Sequence, residues 1–181
     1  ALCITGRLAP VKDHFFFLDV IKELSKKTKR KIKVFIVGDG ELKSEIENSV
    51  NQLQKQGIDI VMTSWIFDIS SFNAGMDIMC LTSKNEGTPV SLIEAQASNL
   101  PVISTDVGGV SDIVAENETG FIISRKNKRD FVEKLKILVE QDEIRHKMKS
   151  KGWEHVHLKF SYKRLATDME SYYKRLLIQR N

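Results

Sequence analysis

Apolar residues in this chain follow two alternating rhythms. Residues 1–5 form a run of strand length, and 13–29 then repeats Phe16, Phe17, Val20, Ile21 and Leu24 at helical spacing. A β-branched run at 32–37 leads into a helical stretch at 42–56, closed by Gly57 as a C-cap. A strand at 58–62 is followed by a short helix at 69–74 that stops at Gly75. The run at 77–81 precedes a helix opening at Thr88 and Pro89, and Pro101-Val102-Ile103 starts another strand. A short helix at 113–115, a strand at 121–123, and helices at 130–140 and 142–152 complete the pattern. The C-terminal helix, within 161–179, carries Leu165, Met169, Tyr172, Tyr173 and Leu176 on one side. Such alternation predicts one α/β domain over 1–181, Rossmann-like and doubly wound, with a mostly parallel sheet of about six strands.

Composition narrows this picture without changing it. The apolar and charged shares, 41% and 29%, are those of a globular domain. No run nears the ~20 apolar residues of a membrane span. Cys3 and Cys80 fall in predicted strands and read as small core hydrophobes in a reducing compartment, which makes the cytoplasm the expected location. A net charge of +4 suits an anionic substrate and does not call for nucleic acid. The basic cluster at 26–33 reads first as a solvated helix end and second as a peripheral contact with the inner face of a membrane. The chain starts without methionine and inside an apolar strand, so an excised domain is expected.

Candidate chemistry concentrates between Cys80 and Asp112. With Thr88 as N-cap and Pro89 at the first helical position, Val90 and Ser91 present N–H groups with no partner inside the helix. Together with the positive end of the helix dipole they form a site for an anion such as a phosphate, and Gly87 lets a ligand approach the backbone. Glu86 precedes the helix and Glu94 lies one turn inside it. Carboxylates beside a phosphate site are suited to accept from sugar hydroxyls, which points to a ligand with sugars on both sides of a phosphate, a nucleotide sugar. A solvated loop residue and a solvated helix residue remain the other reading of this pair. Gly6-Arg7-Leu8 and Lys12 follow the first strand, at the edge where open α/β sheets bind ligands. Arg7 and Lys12 read either as a diphosphate clamp or as a solvated basic loop.

The segment Glu86-Gly87-Thr88-Pro89 through Glu94-Ala95, with Pro101-Val102-Ile103 and Asp106-Val107-Gly108-Gly109, resembles the E-x7-E signature of retaining glycosyltransferases. More narrowly, it is similar to the "glycosyl transferases group 1" set, family four, which has the two-domain GT-B fold. Gly6-Arg7-Leu8 to Lys12, Gly38-Asp39-Gly40 and Asn117 to Gly120 are similar to further motifs of that family. The resemblance implies a C-terminal, donor-binding domain whose N-terminal partner domain receives a saccharide or lipid-linked acceptor. It implies that Arg7 and Lys12 hold the donor diphosphate, Gly6, Gly87, Thr88, Pro89, Val90 and Ser91 line it, Glu94 takes the ribose hydroxyls, and Glu86 orients the donor sugar. It also implies same-face transfer with no metal or other cofactor, and a role in polysaccharide or glycoconjugate synthesis. A UDP-sugar is the first choice of donor.

The sequence departs from the family pattern at Ser64, where glycine is frequent near the base. Trp65 is expected to be packed and not stacked on a ligand. His14 is expected to be structural or solvated. Two other functions compete, a sugar-nucleotide epimerase or phosphorylase of the same fold and a non-catalytic nucleotide-sugar binding module. The glycine pattern does not support NAD.

Overall fold

The structure, a computed structural model, describes residues 1–178. Strands β1 (Leu2–Thr5), β2 (Lys33–Val37), β3 (Asp59–Thr63), β4 (Ile78–Leu81), β5 (Val102–Thr105) and β6 (Gly120–Ile123) form one sheet. Their order is β3-β2-β1-β4-β5-β6, and all five pairings are parallel. This is the expected doubly wound α/β architecture. The central strands are mostly apolar because helices cover both faces. All four residues of β4 are buried, as are all four of β5.

On one face, α1 (His14–Lys27), α2 (Lys43–Gln54) and α6 (Lys128–Glu140) bring Phe17, Ile46 and Phe131 against Ile4, Ile36 and Ile103. On the other, α4 (Val90–Ala97) and α5 (Val110–Ile113) bring Leu92 and Val110 against Cys3, Met79 and Val102, next to α3 (Ile69–Ala74). Each such buried side chain contributes about 1.5–3 kcal/mol. Cys3 and Cys80 are free and buried, and burial pushes the Cys3 thiol up to about 12. They are core hydrophobes, as expected. The chain moves outward from β1 to β3 and then returns to lay β4 beside β1. The loops leaving β1 and β4 therefore part at the switch point, where a crevice forms.

Two helices differ from expectation in ways that packing explains. The helix expected to end at Gly152 continues as α7 (Asp142–Phe160). Gly152 lies where α7 crosses α4, and a Cβ there would stand 2.8 Å from the Gln96 carbonyl oxygen. Its missing side chain serves close packing, not helix termination. The short helix expected at 113–115 is α5, which starts directly after Gly109 because Val110 and Ile113 both bury into the core. Finally, α8 (Tyr162–Ile178) has no buried residue, and Gln179 of the expected helix lies outside the described residues. The basic cluster is tied down more than a free helix end would be. Lys27 meets Glu133 at 2.6 Å, and Arg30 donates twice to Asp142 at 2.7 and 3.1 Å. Among the described residues no helix is long and apolar enough to cross a membrane.

Candidate functional site

At the carboxyl ends of the strands, glycines let neighbouring loops touch backbone to backbone. A Cβ on Gly38 would lie 2.0 Å from the Gly6 carbonyl oxygen, and one on Gly108 would lie 1.8 Å from that of Glu86. Both residues have positive φ, +143° and +51°, which L side chains rarely adopt. The Gly109 N–H donates to the Glu86 carbonyl at 3.2 Å, and the Leu8 N–H donates to that of Asp39 at 2.9 Å. Gly87 is different, because a Cβ there would meet nothing within 4 Å. The loops after β1 and β2 are thus joined, as are those after β4 and β5, and space is left above Gly87.

Between these joined pairs, the β1 loop meets the β4 loop through charge. Lys12 ends a 3-10 turn, Pro10–Lys12, and its Nζ lies 2.5 Å from Glu86 Oε1. The two side chains are only 21% and 10% exposed, so water screens this contact far less than a surface pair. The Ser83 hydroxyl donates to the same oxygen at 2.5 Å. Oε2 of Glu86 has no hydrogen-bond partner among the described residues. Buried hydroxyls brace the junction. Thr105 donates to the Ser83 carbonyl at 2.7 Å, and Thr82 donates to the Lys12 and Asp13 carbonyls. By sequence alone Ser83 reads only as a turn former. The available signal was a cluster of hydroxyl residues, Thr82-Ser83 and Ser104-Thr105, at the ends of two buried strands.

His14 starts α1 two residues after Lys12 and is 1% exposed, with neither ring nitrogen partnered. Burial first, and the Lys12 charge second, lower its pKa to about 4. It is a neutral core residue. Its neighbour Asp13 turns the chain at φ 51° and accepts from Arg125 at 2.6 Å.

The β4 loop then enters α4, one residue later than expected. Pro89, not Thr88, is the N-cap, and its carbonyl accepts from Leu92 at 3.0 Å. Pro89 is extended (ψ 93°), which holds it outside the helix, and Thr88 makes no capping bond. The N–H groups of Val90 and Ser91 have no acceptor among the described residues. Burial raises the Glu94 carboxyl above its ordinary range, and no side chain donates to it among the described residues.

The β2 and β3 loops are more open. Arg7, reaching over from the β1 loop, meets Glu41 of the β2 loop at 3.1 Å, with both side chains at least half exposed. Asp39 organises this end, accepting from Lys43 Nζ at 3.0 Å, the Gly40 N–H at 2.8 Å and the Ser64 hydroxyl at 3.2 Å. The Lys43 contact leads in holding its carboxyl below the ordinary range. Ser64, the departure from the family pattern, therefore has a local partner. Trp65 was expected to be packed but is 51% exposed, and Phe67 beside it is fully exposed. The reason is position. β3 is the edge strand, and no further loop lies beyond it to cover these two side chains.

The site residues fall into two groups. The structure brings together Lys12, Glu86 and the Gly87–Ser91 approach to α4, while Arg7 turns toward Glu41. Among the described residues no group of three or more His, Cys, Asp or Glu could hold a metal.

Comparison with known proteins extends this picture. A family model described as "Glycosyl transferases group 1" matches residues 1–155. The capsular polysaccharide biosynthesis glycosyltransferase CapM of Staphylococcus aureus is 30% identical over 146 residues, 81% of this chain and 38% of CapM. The chain spans less than half the length of the curated relatives first matched. Among solved structures, a point mutant of S. aureus TarM in complex with fondaparinux, α-GlcNAc-glycerol and UDP superposes with a TM-score of 0.86 at 24% identity. The match covers 94% of this chain and 34% of that one. The C-terminal domain of LpcC, a group 1 family protein of Francisella tularensis, superposes with a TM-score of 0.76 at 25% identity, covering 89% of this chain and 86% of that domain.

Proposed function

We propose that this chain, which belongs to the glycosyl transferases group 1 family, is the donor-binding, C-terminal domain of a retaining glycosyltransferase of the two-domain GT-B form. The observation that carries the reading is the meeting of Lys12 with Glu86, in the loop that leads into α4 and its free N–H groups. Positive charge for a diphosphate and an acid for a sugar are placed together on the edge where parallel sheets bind ligands. The match to a C-terminal domain and the short share of CapM that the chain spans support a further, N-terminal half that supplies the acceptor side of the cleft.

In this reading the departing nucleoside diphosphate gains negative charge as the sugar leaves. Stabilising that charge is the main electrostatic demand of the transition state. Lys12 shifts from Glu86 toward the phosphates, Arg7 swings from its exposed contact with Glu41 to join it, and the Val90 and Ser91 N–H groups add donors. Glu86 then turns its free Oε2 to the donor sugar hydroxyls beside the reacting carbon. Glu94, raised by burial and lacking donors, is satisfied by the ribose hydroxyls. In same-face transfer to a saccharide or lipid-linked acceptor, the bond from sugar carbon to phosphate oxygen breaks, the acceptor hydroxyl oxygen bonds that carbon and its proton passes to the departing diphosphate. Arg7, Lys12 and the helix end carry the charge that a metal carries elsewhere. The cytoplasm, against the inner face of the membrane, is the proposed setting.

UDP is the favoured leaving group, supported by its presence in the TarM complex. Calorimetric titration with UDP, GDP and ADP tests the site. One of the three should bind, and Glu94→Ala should weaken it by about 1–3 kcal/mol. If no nucleotide binds to the full-length protein, the donor-site reading fails.

A further inference from the structure

We infer that Ser83 is a positioning residue for Glu86, holding the carboxylate in its working orientation after Lys12 has turned to the diphosphate. The inference rests on the donor-site reading above and adds a residue to it. Glu86 accepts two bonds, from Lys12 and from Ser83, both on Oε1. A nucleoside diphosphate competes for only one of them, because an ammonium is drawn to phosphate and a serine hydroxyl already bonded to a carboxylate is not. When Lys12 leaves, a long side chain with three free torsions would otherwise lose its orientation. The Ser83 hydroxyl keeps Oε1 fixed and Oε2 open.

Ser83 suits this task. It is fully buried, so its hydroxyl has no water to turn to. Its carbonyl is fixed by the Thr105 hydroxyl of the next strand at 2.7 Å, which ties its backbone to the sheet. The next loop also closes on Glu86, whose own carbonyl accepts from the Gly109 N–H. The carboxylate is therefore held at its backbone by Gly109 and at its tip by Ser83. A bond from a hydroxyl to an ionised carboxylate is among the stronger kinds, and buried geometry of this type is how enzymes place a charge within tenths of an ångström. Neither Ser83 nor Thr105 is assigned to touch the donor.

The test reads the sugar's share of donor binding. Kd is measured in the full-length protein for UDP-glucose against UDP, GDP-mannose against GDP and ADP-glucose against ADP, and the ratio within the pair that binds reports the sugar alone. Ser83→Ala should leave the nucleoside diphosphate affinity within about twofold and shrink the ratio by about 10- to 100-fold. In a Glu86→Ala background the same substitution should change the ratio by less than about twofold, because the carboxylate it positions is gone. Thr105→Val, which keeps the buried shape and removes the anchoring hydroxyl, should show a weaker form of the same loss.

Three results overturn the inference. An unchanged ratio in Ser83→Ala, with Glu86→Ala still reducing it, removes Ser83 and leaves the donor site standing. Equal losses in both backgrounds show a general structural role. A ratio unaffected by Glu86→Ala itself removes the assignment of Glu86 to the sugar, and the role of Ser83 with it.

Discussion

The carboxyl edge of the sheet has two halves that handle the same kinds of residues differently. Where the β1 and β4 loops meet, Lys12 and Glu86 are paired at 21% and 10% exposure, with buried hydroxyls around them. Where the β1 loop meets the β2 loop, Arg7 and Glu41 are paired at 69% and 50% exposure, and Trp65 and Phe67 in the β3 loop are exposed as well. The inner half sits at the centre of the sheet, with strands on both sides. The outer half ends at an edge strand. A cation and a carboxylate form a structural junction in one place and a loose surface contact in the other. The difference lies in how much water the neighbouring loops exclude.

The largest effect expected at this contrast comes from glycine. Gly108→Ala places a methyl 1.8 Å from the Glu86 carbonyl oxygen at φ +51°, and it should cost about 3 kcal/mol or more in urea unfolding. Gly87→Ala, in the loop beside it, should stay within about 0.5 kcal/mol, since its Cβ meets nothing. Equal stability of the two variants would break the distinction between the closed base of the junction and the open space above it.

Next in size is the response to acid. His14, beneath the inner half, titrates at about 4 in the fold against an ordinary 6.5. The unfolded chain therefore takes the proton first as pH falls. The resulting loss of stability begins near pH 6.5, continues to about 4, and is absent above. It should reach about 3 kcal/mol. In His14→Leu this part of the slope should vanish, with Lys12 and Asp13 left as the charged neighbours. A slope unchanged by the substitution would place the acid sensitivity elsewhere.

The smallest effect sharpens the contrast most directly. Double-mutant cycles should give a coupling of about 1–2 kcal/mol for Lys12 and Glu86, and about 0.5 kcal/mol or less for Arg7 and Glu41. Added salt should lower both, the outer pair first. Similar couplings at the two pairs would mean that exposure does not separate the halves.

Much of this arrangement was legible in the residues, though unevenly. The alternation of apolar rhythms marked all six strands, most clearly the central ones, because a strand covered on both faces is mostly apolar. Cys3 and Cys80 were readable as core for the same reason. The junction was less so. Thr88 and Pro89 looked like cap and first helical residue, but the extended backbone of Pro89 moved the helix start by one position. Gly152 looked like a helix end, and only the approach of Gln96 across the helix pair shows why it is glycine. Trp65 looked packed because large aromatics usually are, yet its strand lies at the sheet edge. Ser83 showed only turn chemistry and its place among the strand-end hydroxyls, since its partner Glu86 and its anchor Thr105 depend on how two loops lie in space.

By itself the sequence determined the layer architecture, the chemistry concentrated after the first and fourth strands, and the two acids of the E-x7-E spacing. These follow from periodicity and residue type, which act over a few neighbouring positions. Only the tertiary structure decided the strand order that sets β1 beside β4, the pairing of Lys12 with Glu86 across 74 positions, and which glycines are closed by backbone and which is open. Those outcomes depend on which distant segments exclude water from one another, and no local pattern records that.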